Sequence, residues 1–216
     1  MIVVELRDLH VTYRSGRASI EALRGVNLRL TGPGLVLLMG PNGSGKTTLL
    51  KAIAGLVKYR GVVKITDTEG VDNKVQVTYI PVGGILIDEL TVKETLMLAS
   101  NGDAAKVREA LLKLGLSHVA DREVYRLSTG ERRRVELAIA LVKGGRIILI
   151  DEPTIGLDED NVRGVALILR GMAKGGSLVI AATHDNELVG YADEVYYIRG
   201  GVIEGRMDLR AVRSNT

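Results

Sequence analysis

Between residues 2 and 30, apolar and polar positions alternate with period two, as in HVTY and VNLRL. This predicts two half-buried antiparallel strands joined by a turn at SGRAS (15–19). The pattern then changes. LVLLM (35–39), RIILI (146–150) and SLVIAAT (177–183) are runs of mostly apolar residues, which suits strands buried on both faces. VVKIT (62–66) and VTYI (77–80) add further strands, and EVYYIRGGVIEG (194–205) reads as a hairpin turning at Gly200-Gly201. Helical spacing takes over from Lys46 to about Leu56, across 91–116, and from LSTGERRR (127–134) to about Val142. Thr91 followed by Glu94 is a capping-box signature. Buried strands alternating with helices predict an α/β fold: a mainly parallel core sheet with an N-terminal antiparallel β-subdomain. The helical block at about 84–143 interrupts the alternation as an inserted α-helical subdomain of a single domain, 1–216.

Composition narrows the picture only modestly. The 216 residues are 46% hydrophobic and 25% charged, which is enough for a sizeable core. Without cysteine there is no disulfide, thiolate metal site or cysteine nucleophile. The N-terminus MIVVELRDLH carries charges and no h-region, so secretion is not expected. No apolar run approaches the ~20 residues of a membrane span. A net charge of +3 suits a nucleotide ligand as well as nucleic acid or an anionic membrane.

The residues at 127–134 pose a question. Ser128 and Thr129 are natural N-caps for the helix that follows, yet Arg132, Arg133 and Arg134 crowd its first turns. A cation at a helix N-terminus opposes the helix dipole by about 0.3–1 kcal/mol. A solvated basic face is the plain explanation, and an anion bound at the helix N-terminus is the sharper one.

GPNGSGKTT (40–48) lies between an apolar strand and a helix and matches G-x-x-x-x-G-K-[ST]. Gly40, Gly43 and Gly45 let the backbone of Gly40, Pro41, Asn42, Gly43, Ser44, Gly45, Lys46, Thr47 and Thr48 wrap so that successive N–H groups face a phosphate. Lys46 would neutralise the β/γ-phosphates and Thr47 would bind Mg²⁺ through its hydroxyl. IILIDEP (147–153) ends a buried strand in two carboxylates. Asp151 is placed to hold Mg²⁺, and Glu152 could take a proton from an attacking water, work that contributes on the order of 10²–10⁴ in rate. His184 follows another apolar strand, where it could touch a γ-phosphate.

Together these residues resemble the ABC-type ATPases, the nucleotide-binding subunits of ATP-binding-cassette transporters. GPNGSGKTT is similar to that family's Walker A, LSTGE (127–131) to its signature, and IILIDEP to Walker B with the catalytic glutamate. IGLD (155–158) is similar to the D-loop, His184 to the switch histidine, and Tyr13 to the aromatic that stacks on adenine. The resemblance implies a P-loop NTPase that binds ATP and Mg²⁺ and hydrolyses ATP with Glu152, His184 and Lys46. It implies a head-to-tail dimer with a second ABC ATPase chain, identical or not, in which Ser128 and the Gly130 N–H of one chain reach the γ-phosphate held by the other. It also implies a separate transmembrane permease, and so a cytoplasmic protein peripheral on the inner face of the cell membrane. Arg134 would then sit in a structural ion pair, with Arg132 and Arg133 solvated. The stretch 82–100 would be the docking surface for the permease.

The sequence departs from the family at two places. Thr129 and Glu131 stand where Gly and Gln are usual, and Glu131 either brings negative charge towards the phosphate or serves as an early-helix acid. Val82 stands where the family has a Q-loop glutamine, and Gln76, within the preceding strand, is too far back to replace it. Val82 also favours a heterodimer with one altered site. Two other readings stay open. A soluble iron–sulfur-assembly ATPase also has a signature followed by Glu and basic residues. Arg206, Arg210 and Arg213 would share a face in a helical tail that could meet nucleic acid. With no Phe or Trp for stacking, nucleic acid is not expected. A short chain without a C-terminal regulatory extension inclines the transporter reading towards export.

Overall fold

The computed structural model describes residues 1–16, 18–67, 75–84 and 86–210. Strands β1 (Ile2–Ser15), β2 (Ala18–Gly32) and β4 (Arg60–Asp67) form an antiparallel sheet in the order β2-β1-β4. The second sheet runs β5 (Val77–Ile80), β6 (Ile147–Asp151), β7 (Leu178–Thr183), β3 (Gly34–Met39), β8 (Glu194–Arg199), β9 (Val202–Asp208). All its pairings are parallel except the β8–β9 hairpin.

Strand parity explains why the central strands are apolar throughout. Leu35, Leu37 and Met39 of β3 face one core with Ile148, Ile150, Val179 and Ala181. Val36 and Leu38 face another with Ile147, Leu149, Leu178 and Ile180. The first core is covered by the helices α2 (Val92–Ala99), α3 (Ala104–Lys113), α4 (Thr129–Lys143) and α5 (Glu159–Lys174). The second is covered by α1 (Lys46–Ile53) and the antiparallel sheet. Leu149 is fully buried in it, and truncation to Ala there is expected to cost about 2–5 kcal/mol.

The helix ends follow local chemistry. Thr91 caps α2 with the reciprocal Glu94 bond, and Asp103 caps α3. Helix α1 stops at Ile53, short of the expected Leu56, because Gly55 turns left-handed at φ 71°. Helix α5 is an element that the hydrophobic pattern did not single out. Its Val162, Val165, Ala166, Leu169, Met172 and Ala173 are buried at helical spacing, and Asp158 caps it.

The consequence for the site is one of position. The parallel register pairs Met39 with Thr183, Asp151 with Ala182 and Ile80 with Ile150. The loops after β3, β5, β6 and β7 therefore leave the sheet at one edge, where ligands of open α/β sheets bind.

Candidate active site

Gly45 precedes α1 at φ 109°, and no side chain caps the helix. A Cβ at Gly45 would lie 2.7 Å from the Ala22 carbonyl oxygen, so only glycine lets the loop pass beside β2. The uncapped N–H groups of α1 remain available to an anion. The residues Asn42–Thr48 line a cavity of about 380 Å³ together with Ala22, Val82 and Glu152. Gly40 and Pro41 support it from behind: Lys46 Nζ donates to their carbonyls at 2.7 and 3.3 Å.

Parity places Asp151 on the α1 face of the sheet with Ile147 and Leu149. There its Oδ2 accepts the Thr47 hydroxyl at 2.7 Å. Its other oxygen, Oδ1, is buried with no hydrogen-bond partner among the described residues. Burial holds the Asp151 carboxyl above its ordinary range, against the opposing bond from Thr47. Tyr79 beside it is pushed up to about 12, first by burial and then by the Asp151 charge. A lone buried carboxylate oxygen beside a hydroxyl is an oxygen donor set of the kind Mg²⁺ takes.

Glu152 joins the phosphate loop to the histidine. Its Oε2 lies 2.9 Å from His184 Nδ1 and its Oε1 3.5 Å from Lys46 Nζ. Its backbone is left-handed at φ 45°, a conformation that costs a non-glycine residue about 1–3 kcal/mol. The Glu152 N–H donates to Ala182 O at 2.8 Å, and the Glu152 carbonyl accepts from Ile155 N at 3.3 Å. That carbonyl also accepts Arg133 Nη2 at 2.7 Å. Tyr13 is half exposed at the cavity's edge, its hydroxyl 3.5 Å from Thr48 Oγ1.

Two expected site residues are not brought to this cavity within the chain. Ser128 and Gly130 open α4 elsewhere. Ser128 caps the helix in a reciprocal box with Glu131. Gly130 packs so closely on α5 that a Cβ would lie 2.3 Å from Asn161 Oδ1. Glu131 is thus the early-helix acid. Its carboxyl is held below the ordinary range, chiefly by the Ser128 N–H, with His118 and Arg122 nearby.

The arginine assignments are corrected. Arg133, expected to be solvated, is buried and paired with Glu136 at 2.6 Å. Arg132 pairs with Asp88 at 2.7 Å. Arg134, expected in an ion pair, has a buried Nε with no partner among the described residues. The spacing of Arg133 and Glu136, three apart on one helix, was the available signal. Gln76 lies just before β5, not within it, and donates to Lys143 O. Val82 is half exposed and lines the phosphate-loop cavity. The expected hairpin at Gly200-Gly201 is present and its second strand runs on to Asp208, so Arg206 lies on a strand rather than a helix, and Arg206 and Arg210 bond the buried Glu194. Arg213 lies outside the described residues. No helix among the described residues is long and apolar enough to cross a membrane.

The sequence profile described as ABC transporter matches residues 23–155. A putative ABC transporter ATP-binding protein of Pyrococcus abyssi is 34% identical, over 94% of this chain and 82% of its own. The putative hemin import ATP-binding protein HrtA of Staphylococcus haemolyticus is 32% identical, over 94% of this chain and all of its own. Among solved structures, the dimeric bacterial ABC transporter cassette MJ0796 superposes with a TM-score of 0.82 at 28% identity, covering 96% of this chain and 99% of that one. A post-hydrolysis dimer of the same cassette, bound to ADP and Pi, gives the same TM-score at 26% identity.

Proposed function

The chain belongs to the ABC transporter family, and on that premise we propose that it is the ATP-hydrolysing subunit of a transporter, working as a head-to-tail dimer beneath a separate transmembrane partner. One observation carries the reading: a phosphate loop, a hydroxyl–carboxylate pair and a carboxylate–histidine pair converge at one edge of a parallel sheet. Residues 1–216 act as one ATPase domain, with the segment at about 84–143 as its helical part.

The geometry supports the following division of labour. The uncapped N-terminus of α1 and Lys46 bind the phosphates, and Tyr13 offers its ring to the adenine. Thr47 and Asp151 would hold Mg²⁺, which when bound supplies charge neutralisation to the phosphates. Glu152 accepts the proton of the attacking water as general base. His184 orients Glu152 and stands beside the γ-phosphate. Because Ser128 and Gly130 lie apart from the cavity of their own chain, they serve the cavity of a second ABC ATPase chain, identical or homologous. The helix terminus then acts on the phosphate in trans. The protein sits peripherally on the cytoplasmic face of the membrane.

Glu131, one of the residues that keep the iron–sulfur-assembly alternative open, caps α4 and lies beside His118 and Arg122.

The test is purification of the tagged chain from detergent-solubilised native cells with identification of what accompanies it. A polytopic membrane protein supports the transporter reading. A soluble partner alone contradicts it.

A further inference from the structure

We propose that Arg133 is a positioning residue for Glu152, locked in place by Glu136; this rests on the reading of Glu152 as the general base. The side chain of Glu152 is aimed by a backbone in the left-handed region, which must be held from outside. Its N–H is tied to β7 through Ala182, and one bond to its carbonyl is local, from Ile155. The remaining bond comes from a different element. Arg133 reaches from α4 to the Glu152 carbonyl, 19 residues away, at 2.7 Å.

The guanidinium is fixed at both ends. Nη1 bonds Glu136 at 2.6 Å while Nη2 bonds Glu152, and Arg133 and Glu136 are each about 95% buried. A planar fork bridging two acceptors is a role that a lysine point charge fills poorly. Packing alone does not call for such a pair, because buried ion pairs are often no more stabilising than apolar residues of the same volume. What the pair supplies is a defined geometry.

Glu136 is itself closed in. Gly84, at φ 70°, ends the turn after β5 against it, and a Cβ at Gly84 would fall 2.0 Å from Glu136 Oε1. The turn that brings Val82 to the phosphate-loop cavity is thus packed directly against the Glu136 carboxylate. One line of contacts, Gly84–Glu136–Arg133–Glu152, therefore joins that turn and the start of α4 to the base, and its three charged members are buried. Of the three arginines in the first turns of α4, this one faces inward as a support.

The experiment compares Arg133→Met, Arg133→Lys, the double variant Arg133→Met/Glu136→Leu, and Glu152→Gln in the full chain. It measures single-turnover ATP hydrolysis, affinity for a fluorescent ATP analogue, and thermal unfolding. Arg133→Met is expected to slow hydrolysis about tenfold or more, with affinity kept within about twofold. Arg133→Lys is expected to recover part of the rate. The double variant removes the stranded carboxylate, so it regains stability yet stays slow, and it supplies the readout if Arg133→Met does not fold. Normal turnover in the double variant overturns the proposal, as does affinity falling in step with rate. Normal turnover in Glu152→Gln overturns instead the assignment of the base, which separates the two failures.

Discussion

Thr47 Oγ1 donates to Asp151 Oδ2 across 2.7 Å and joins the first turn of α1 to the end of β6. The bond leaves Asp151 Oδ1 buried without a partner among the described residues. Such an atom weakens the folded chain and suits a cation. Asp151→Asn should therefore abolish Mg²⁺-dependent hydrolysis while raising the stability of the nucleotide-free protein by about 1 kcal/mol. Urea denaturation without nucleotide checks the second part. A less stable variant would mean that the carboxylate is satisfied by some other group.

Val82 occupies a place on the cavity wall beside Thr47 and Glu152, with no polar side-chain atom to offer either. Val82→Gln is expected to raise turnover several-fold, on the order of a single hydrogen bond of about 0.5–1.5 kcal/mol made in the transition state. Rate and Mg²⁺ dependence measured together decide it. If both stay unchanged, another group already fills the role.

Ser128 and Glu131 form the reciprocal cap of α4. Glu131→Ala should destabilise the chain by about 1 kcal/mol at neutral pH. Because the Glu131 carboxyl is held below its ordinary 4.5, that contribution is present above pH 4.5 and is lost as pH falls through the lowered value. The stability difference between wild type and variant should accordingly shrink in acid, which denaturation at several pH values will show.

His10 sits between Glu21 and Asp8, each at 2.9 Å, and its pKa is raised from 6.5, chiefly by the Glu21 bond and then by Asp8. Its stabilising effect is fully present below pH 6.5 and fades as pH rises through the elevated value. His10→Asn should flatten this part of the stability–pH curve. An NMR titration of the wild-type imidazole gives the midpoint directly, and a midpoint below 6.5 would contradict the geometry.

Much of this architecture was legible in the chain because burial on two faces leaves a plain mark. LVLLM, IILI and LVIAA are apolar at both parities, and each belongs to a central strand. The phosphate loop and the Asp151–Glu152 step could be read because each depends on residues close together in sequence. Helix α5 was harder. Its buried stripe is regular, but Gly164 and Gly171 sit within the helix outside that stripe, and such glycines weaken a helical pattern. The arginines show the sharper limit. Arg133 and Glu136 could have been paired by spacing, but nothing local ties Arg133 to a carbonyl 19 residues away. That contact exists only because α4 and the strand that precedes Glu152 share one core. The hairpin at Gly200-Gly201 was legible, but the helix face that Arg206 and Arg210 would share in a helical tail does not form, and both arginines converge on Glu194 of the adjacent strand.

The most direct measurement is the behaviour of Glu152→Gln with ATP and Mg²⁺, in which turnover and molecular mass are followed on one preparation. The account predicts that turnover falls at least about 10²-fold while ATP binding persists, and that the chain shifts from monomer to an ATP-dependent dimer that no longer dissociates through hydrolysis. Near-normal turnover would contradict it, as would a chain that binds ATP and dimerises neither with itself nor with a second ABC ATPase chain.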